Sequence, residues 1–244
     1  MKRFYKEVSV AAGADGHRIL LDRRPVHSPA RQPLVMPGAA LAEAVADEWR
    51  AQGSTIERAG MGLTRLVSTA LDRMPALRGA AIDEALGYAL TDLLCYRSAA
   101  PAELGARQER AWQPWLDWLA DTHGARLVST TSMLPVTQPE PALAQLRTAI
   151  EQLDDWRLVG LHGATTALGS LVLGLALLEG EIDAEQALAA SLLDELFEIE
   201  RWGRERDAQR RQQVLRRDVA AAARFLACLR PPATRARPRP DSDR

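Results

Sequence analysis

The chain has 244 residues, enough for one large domain or two modest ones with a real core. Its 31 Lys and Arg balance 32 Asp and Glu for a net charge of −1, which excludes the basic surface of a bulk nucleic-acid binder. The two cysteines, Cys95 and Cys228, form no C-x-x-C pair; both fall in apolar helical surroundings and read as buried, reduced thiols of a reducing compartment.

Met1-Lys2-Arg3 leads straight into Phe4-Tyr5-Lys6-Glu7-Val8, without the apolar run of a secretory signal. That points to a bacterial cytoplasmic protein, or to a mature form already trimmed. Residues 1 to 36 read as strands: Tyr5 to Val10, a turn at Ala14-Asp15-Gly16, His17 to Leu21, a turn at Asp22-Arg23-Arg24, then Pro25-Val26-His27 and Leu34-Val35-Met36. So small an antiparallel sheet must lean on another element.

From Pro37 the apolar period becomes 3.6. Leu41, Ala44, Val45 and Trp49 form one stripe, with Gly53 as its stop. Leu63, Leu66, Val67, Ala70, Leu71 and Met74 form the next, and a third runs from Ile82 through Ala89 to Leu94. Residues 91 to 118 hold Thr91-Asp92-Leu93-Leu94-Cys95-Tyr96-Arg97 and then Arg107-Gln108, Trp112, Trp115 and Trp118, three of the six Trp residues. Such a concentration marks either a dense core corner or a surface built to hold another protein. Asp92, Tyr96 and Arg97 are its polar candidates; Asp92 borders the stripe of its helix beside Tyr96, where a cap-like or ion-pair role is the plainer reading. Leu104, Gln108, Trp112, Trp115, Leu116 and Leu119 share a helical face that Pro114 kinks or divides. An extended link over 126 to 131 precedes helices over about 140 to 153, 155 to 179, 183 to 202 and 205 to 229. The Pro- and Arg-rich residues 231 to 244 read as disordered. The expected architecture is α+β, mainly α: a small β-rich unit over 1 to 54 ending in a helix, then a helical bundle over 55 to 230.

Residues 158 to 178 contain no Asp, Glu, Lys or Arg, which meets the length rule for a membrane span. Acidic flanks without a basic cluster, and polar His162, Thr165, Thr166 and Ser170 within, favour a single buried central helix instead. Gly163, Ala167, Ser170 and Gly174 would then let a neighbouring helix approach closely.

Familiar catalytic patterns are absent: no phosphate-cradling glycine loop, no G-x-S-x-G, no H-E-x-x-H. His162 in its apolar helix is either a hydrogen-bonded core residue or a general base. Glu195 falls seven residues after Leu188, within a stripe of Leu188, Leu192, Leu196 and Ile199, with Glu198 and Trp202 along the same edge. A carboxylate facing inward costs several kcal/mol, roughly, unless it is paired, so Glu195 serves an internal partner or is kept for another chain.

The order and spacing of Arg3-Phe4-Tyr5-Lys6, Leu21-Asp22-Arg23-Arg24-Pro25, Glu48-Trp49, Leu63-Thr64-Arg65-Leu66, Thr91-Asp92-Leu93-Leu94-Cys95-Tyr96-Arg97, Gln138-Pro139, His162-Gly163-Ala164-Thr165-Thr166, Gly169-Ser170-Leu171, Asp194-Glu195 and Trp202-Gly203 resemble one family. It is the "ATP-twelve" family of assembly chaperones, which bind the alpha subunit of the catalytic head of F-type ATP synthase. The resemblance implies a small β-rich unit followed by a helical one and no enzymatic activity. It also implies a client, the alpha subunit, protected from aggregation until it meets the beta subunit. The family's functional acidic position before Trp-Gly maps onto Glu195, with Asp194 beside it. After Trp202-Gly203 this chain has Arg204-Glu205-Arg206 where relatives are usually more acidic. The expected partner-binding set is Glu195, Asp194, Glu198, Trp202, Asp92, Tyr96 and Arg97. Neither cofactor nor metal, nucleic acid nor membrane insertion is expected, and the chain should be a monomer, mitochondrial in eukaryotic relatives. A small hydrolase or transferase working around His162 and Glu195 is the competing class.

Overall fold

In a computed structural model of the chain, which describes residues 1–132, 134–203 and 206–230, strands occupy the N-terminal end and helices the rest. The disorder expected for 231 to 244 lies outside the described residues. β1 (Val8–Gly13) and β2 (Gly16–Leu21) form an antiparallel hairpin, registered Val10 to Ile19 and Gly13 to Gly16. The far side of β2 carries two short strands, β3 (Arg24–Pro25) and β4 (Val35–Met36). Asp22 and Arg23 both take positive φ, the combination that a two-residue hairpin turn twisting with its strands requires. The Asp22 carboxylate accepts the Lys6 and Glu7 N–H groups at 3.0 and 2.9 Å, and these bonds hold its pKa below the usual range.

The sheet leans on α1 (Ala39–Arg50), which buries Leu41, Ala42, Val45 and Ala46. This helix stops three residues before Gly53. Tyr5 donates its hydroxyl proton to the Trp49 carbonyl at 2.7 Å. Glu48 reaches on to α2 (Gly62–Asp72), where its carboxylate accepts the N–H groups of Leu63 and Thr64 at 2.7 and 2.8 Å. A negative charge at a helix N-terminus meets both the free donors and the dipole.

α3 (Met74–Leu90), α4 (Ala102–His123) and α5 (Glu140–Glu151) surround a central pair, α6 (Asp155–Leu168) and α7 (Leu171–Glu179). α8 (Ala184–Ser191), α9 (Leu193–Trp202) and α10 (Arg206–Leu229) complete the bundle. Pro114 interrupts nothing: α4 runs unbroken past it.

Three expectations are corrected. The stripe from Ile82 to Leu94 is not one helix, because α3 ends at Leu90 and Leu93–Cys95 forms a separate 3-10 turn. Residues 158 to 178 are two helices, not one. Gly169 adopts a left-handed φ of 68°, and the Ser170 hydroxyl accepts the Leu173 N–H, starting α7 in a new direction. Gly174 consequently packs against Thr165 of α6, and no face joins it to Gly163 and Ala167. No described helix is long and apolar enough to cross a membrane. The helix expected over 183 to 202 also breaks, at Leu192, and α9 buries only Phe197. Glu195 therefore does not face the core.

Candidate functional site

The Trp-rich corner resolves into interior. Trp112 is fully buried and donates its indole N–H to the Ala190 carbonyl of α8 at 2.9 Å. Trp115 and Trp118 lie half-buried, edge to face at 6.3 Å. Asp92 is 0% exposed. Its Oδ1 accepts from the Leu94 N–H at 3.1 Å and the Ser170 hydroxyl at 2.8 Å, and its Oδ2 from the Val172 N–H at 3.2 Å. One carboxylate thus caps the 3-10 turn and the N-terminus of α7 together. Burial pushes its pKa to about 6, against the lowering pull of those hydrogen bonds. Burial, reinforced by the Asp92 charge, pushes the neighbouring Cys95 thiol up to about 12, so it is inert at neutral pH.

Arg97 is also buried. Its Nε donates to the Leu94 carbonyl at 3.0 Å, and its guanidinium lies 5.4 Å from the Trp112 ring centre, with Glu109 at 3.3 Å. Desolvation lowers its pKa while Glu109 opposes the shift. Tyr96 is half-buried; its hydroxyl accepts the Val136 N–H at 3.4 Å, and the chain on either side of it pairs with Thr130. Asp92 and Arg97 therefore hold the corner together, Asp92 wholly out of solvent and Arg97 almost so.

The remaining candidates lie on α9. Asp194 accepts from Gln108 Nε2 at 2.8 Å, while the buried Gln108 carbonyl oxygen accepts the Ser98 N–H at 2.6 Å. Glu195 is half-buried and accepts from Gln212 Nε2 of α10 at 3.2 Å; among the described residues no cation pairs with it. Glu198 is exposed, and Trp202 is 86% exposed. On the other side, Phe197 sits between the guanidinium groups of Arg107 at 5.0 Å and Arg201 at 4.4 Å. Those arginines bridge Glu103 and Glu200, tying α9 to the start of α4. Single exposed pairs contribute little, but this linked set fixes the helix in register. Gln108, Gln212 and Phe197 are the positioning residues that periodicity alone missed; the signal for Gln108 was an amide inside an apolar stripe.

The stripe of Leu188, Leu192 and Leu196 exists in space despite the helix break. It lines a groove of about 390 Å³ against Gln209, Gln212 and Gln213 of α10. His162 lies elsewhere, 2.9 Å from Glu84 and beside a second groove of about 660 Å³ among α2, α6 and α10. The structure does not bring His162 and Glu195 into one site. No group of three or more potential metal-ligating side chains occurs among the described residues.

Residues 2–120 match the family model described as ATP12 chaperone protein. The fold is similar to the crystal structure of Atp12 from Paracoccus denitrificans, with a TM-score of 0.88 and 38% identity, covering 94% of this chain and 98% of that one. A solved protein of Agrobacterium tumefaciens gives a TM-score of 0.89 at 38% identity, covering 94% of this chain and 86% of that one. The mitochondrial protein atp12 of Schizosaccharomyces pombe is 22% identical over 241 residues, 93% of this chain and 83% of its own length.

Proposed function

The chain belongs to the ATP12 chaperone family, and on that premise we propose that it holds the unassembled alpha subunit of an F-type ATP synthase until that subunit meets its beta partner. A subunit destined for a ring exposes apolar interface before assembly, and such a surface aggregates unless covered. The observation that carries this reading is the outer face of α9. Trp202 stands almost wholly in solvent on a helix otherwise latched on both sides. An indole is large, rigid and amphipathic, the usual anchor of a protein interface. Glu195 and Glu198 precede it by seven and four residues, so all three share one face of the helix.

In this reading Trp202 is the anchor, Glu195 and Glu198 select the client's charge, and Asp194 holds the helix from beneath through Gln108. The leucine groove beside α10 extends the apolar contact. The chaperone acts as a monomer in the bacterial cytoplasm and needs no nucleotide, cofactor or metal. Co-expression with tagged alpha or beta subunit, followed by pull-down, tests this. Capture of alpha over beta is expected. Equal capture of both, or capture of neither, contradicts it.

A further inference from the structure

The second groove is walled by α2, α6 and α10, and its chemistry differs from that of the α9 face. Its floor is apolar, formed by Leu66, Gly163, Ala167 and Leu215, and Val214 stands 55% exposed at its edge. Gly163 adds no side chain to this floor, and a Cβ there would make an ordinary contact with Leu66 Cδ2 at 3.4 Å. Along the rim lie Arg65, Arg210 and Arg211, against Asp218, the one carboxylate among the described lining residues. That carboxylate is engaged by Arg65. Arg210 and Arg211 are exposed and make no ion pair among the described residues.

We propose that this groove docks an acidic amphipathic helix of a protein partner. The groove is open to solvent along its length, which suits a segment lying in it better than an enclosed small molecule. Its α10 wall runs from Arg210 to Ala222, about 18 Å at the rise of a helix, so the occupant spans about three turns. The walls are helices whose main-chain groups are already paired, so an added strand finds no partner, whereas the apolar stripe of a helix finds a floor. Carboxylates on its flanks meet Arg210 and Arg211, and the rim rejects a basic helix by like charge. α10 separates this groove from the leucine groove beside α9, since each uses a different face of that helix. The inference goes beyond the alpha-subunit reading and does not need that subunit as the partner.

The test is fluorescence anisotropy on the full chain. The probes are a synthetic amphipathic helix with Leu along one face and Glu on its flanks, and its Lys-flanked counterpart. The Glu peptide should bind better than the Lys peptide. Arg210→Glu with Arg211→Glu should weaken its binding about tenfold and reverse the preference. Val214→Glu should weaken it as well. Arg110→Glu with Arg126→Glu, an equal charge change at exposed positions on and just after α4, should alter binding less than about twofold. Circular dichroism checks that each variant is folded. The proposal is overturned by equal binding of the two peptides, by no binding of the Glu peptide, or by equal losses in both double variants.

Discussion

Asp92 shows how one buried carboxylate can be structural and costly at once. Three hydrogen bonds hold it where two helical segments begin, yet burial lifts its pKa to about 6 from an ordinary 3.8. The folded chain therefore binds that proton more tightly than the unfolded one. The stability this contributes is full below about pH 4 and is lost as the pH rises through about 6. Asp92→Asn retains one acceptor oxygen and should destabilise by roughly 1–3 kcal/mol. The variant has nothing to titrate there, so its deficit in urea unfolding should be larger at pH 4 than at pH 7. A deficit that is flat or grows toward pH 7 contradicts the assignment. Glu195 behaves differently: it is half-buried and its partner is an amide, so Glu195→Gln should leave stability within about 0.5 kcal/mol of wild type. A loss of roughly 3–5 kcal/mol would mean a buried ion pair after all. The cap-like role that the sequence suggests for Asp92 is met at Leu94, two residues on, but its joint cap of α7 with Ser170 was illegible because those two residues lie 78 positions apart and meet only after α7 has turned.

At the scale of elements, the periodicity located helices well and their ends poorly. Residues 158 to 178 are apolar on every side, so no change of phase marks the break at Gly169-Ser170. The break becomes legible only when Ser170 is seen as a helix cap and Gly169 as a left-handed terminator. Likewise Leu188, Leu192 and Leu196 share one face as their spacing predicts, yet Leu188 is core while Leu192 and Leu196 lie half-buried along a groove, because periodicity reports a face and not what covers it. Ser170→Ala removes the cap of α7 and one donor to Asp92, and should cost about 1–2 kcal/mol. Gly160 marks the close crossing of α6 and α10: a Cβ there would overlap Leu226 and press on Phe225. Gly160→Ala should therefore destabilise by about 1–3 kcal/mol in thermal or urea unfolding, even though Ala is the better helix former. An unchanged or raised midpoint would show that the two helices are not so tightly opposed.

At the scale of the molecule, the change from period 2 to period 3.6 near Pro37 separated sheet from helices, and the ordered motifs carried the family. What the sequence could not supply was which aromatic residues face out. Four of the six Trp lie at the two places singled out from the sequence, and three of those four belong to the corner around Trp112, with only Trp202 left in solvent. That contrast sets the packed corner around Trp112 apart from the exposed Trp202, and it depends on packing between segments far apart in the chain. The most direct measurement is light scattering of the isolated alpha subunit as it aggregates, with wild-type chaperone, Trp202→Ala or Glu195→Gln, alongside the melting temperature of each chaperone. Wild type should suppress the scattering, both variants should suppress it less, and both should melt within a few degrees of wild type. Full suppression by both folded variants would contradict the assignment of the client face to α9.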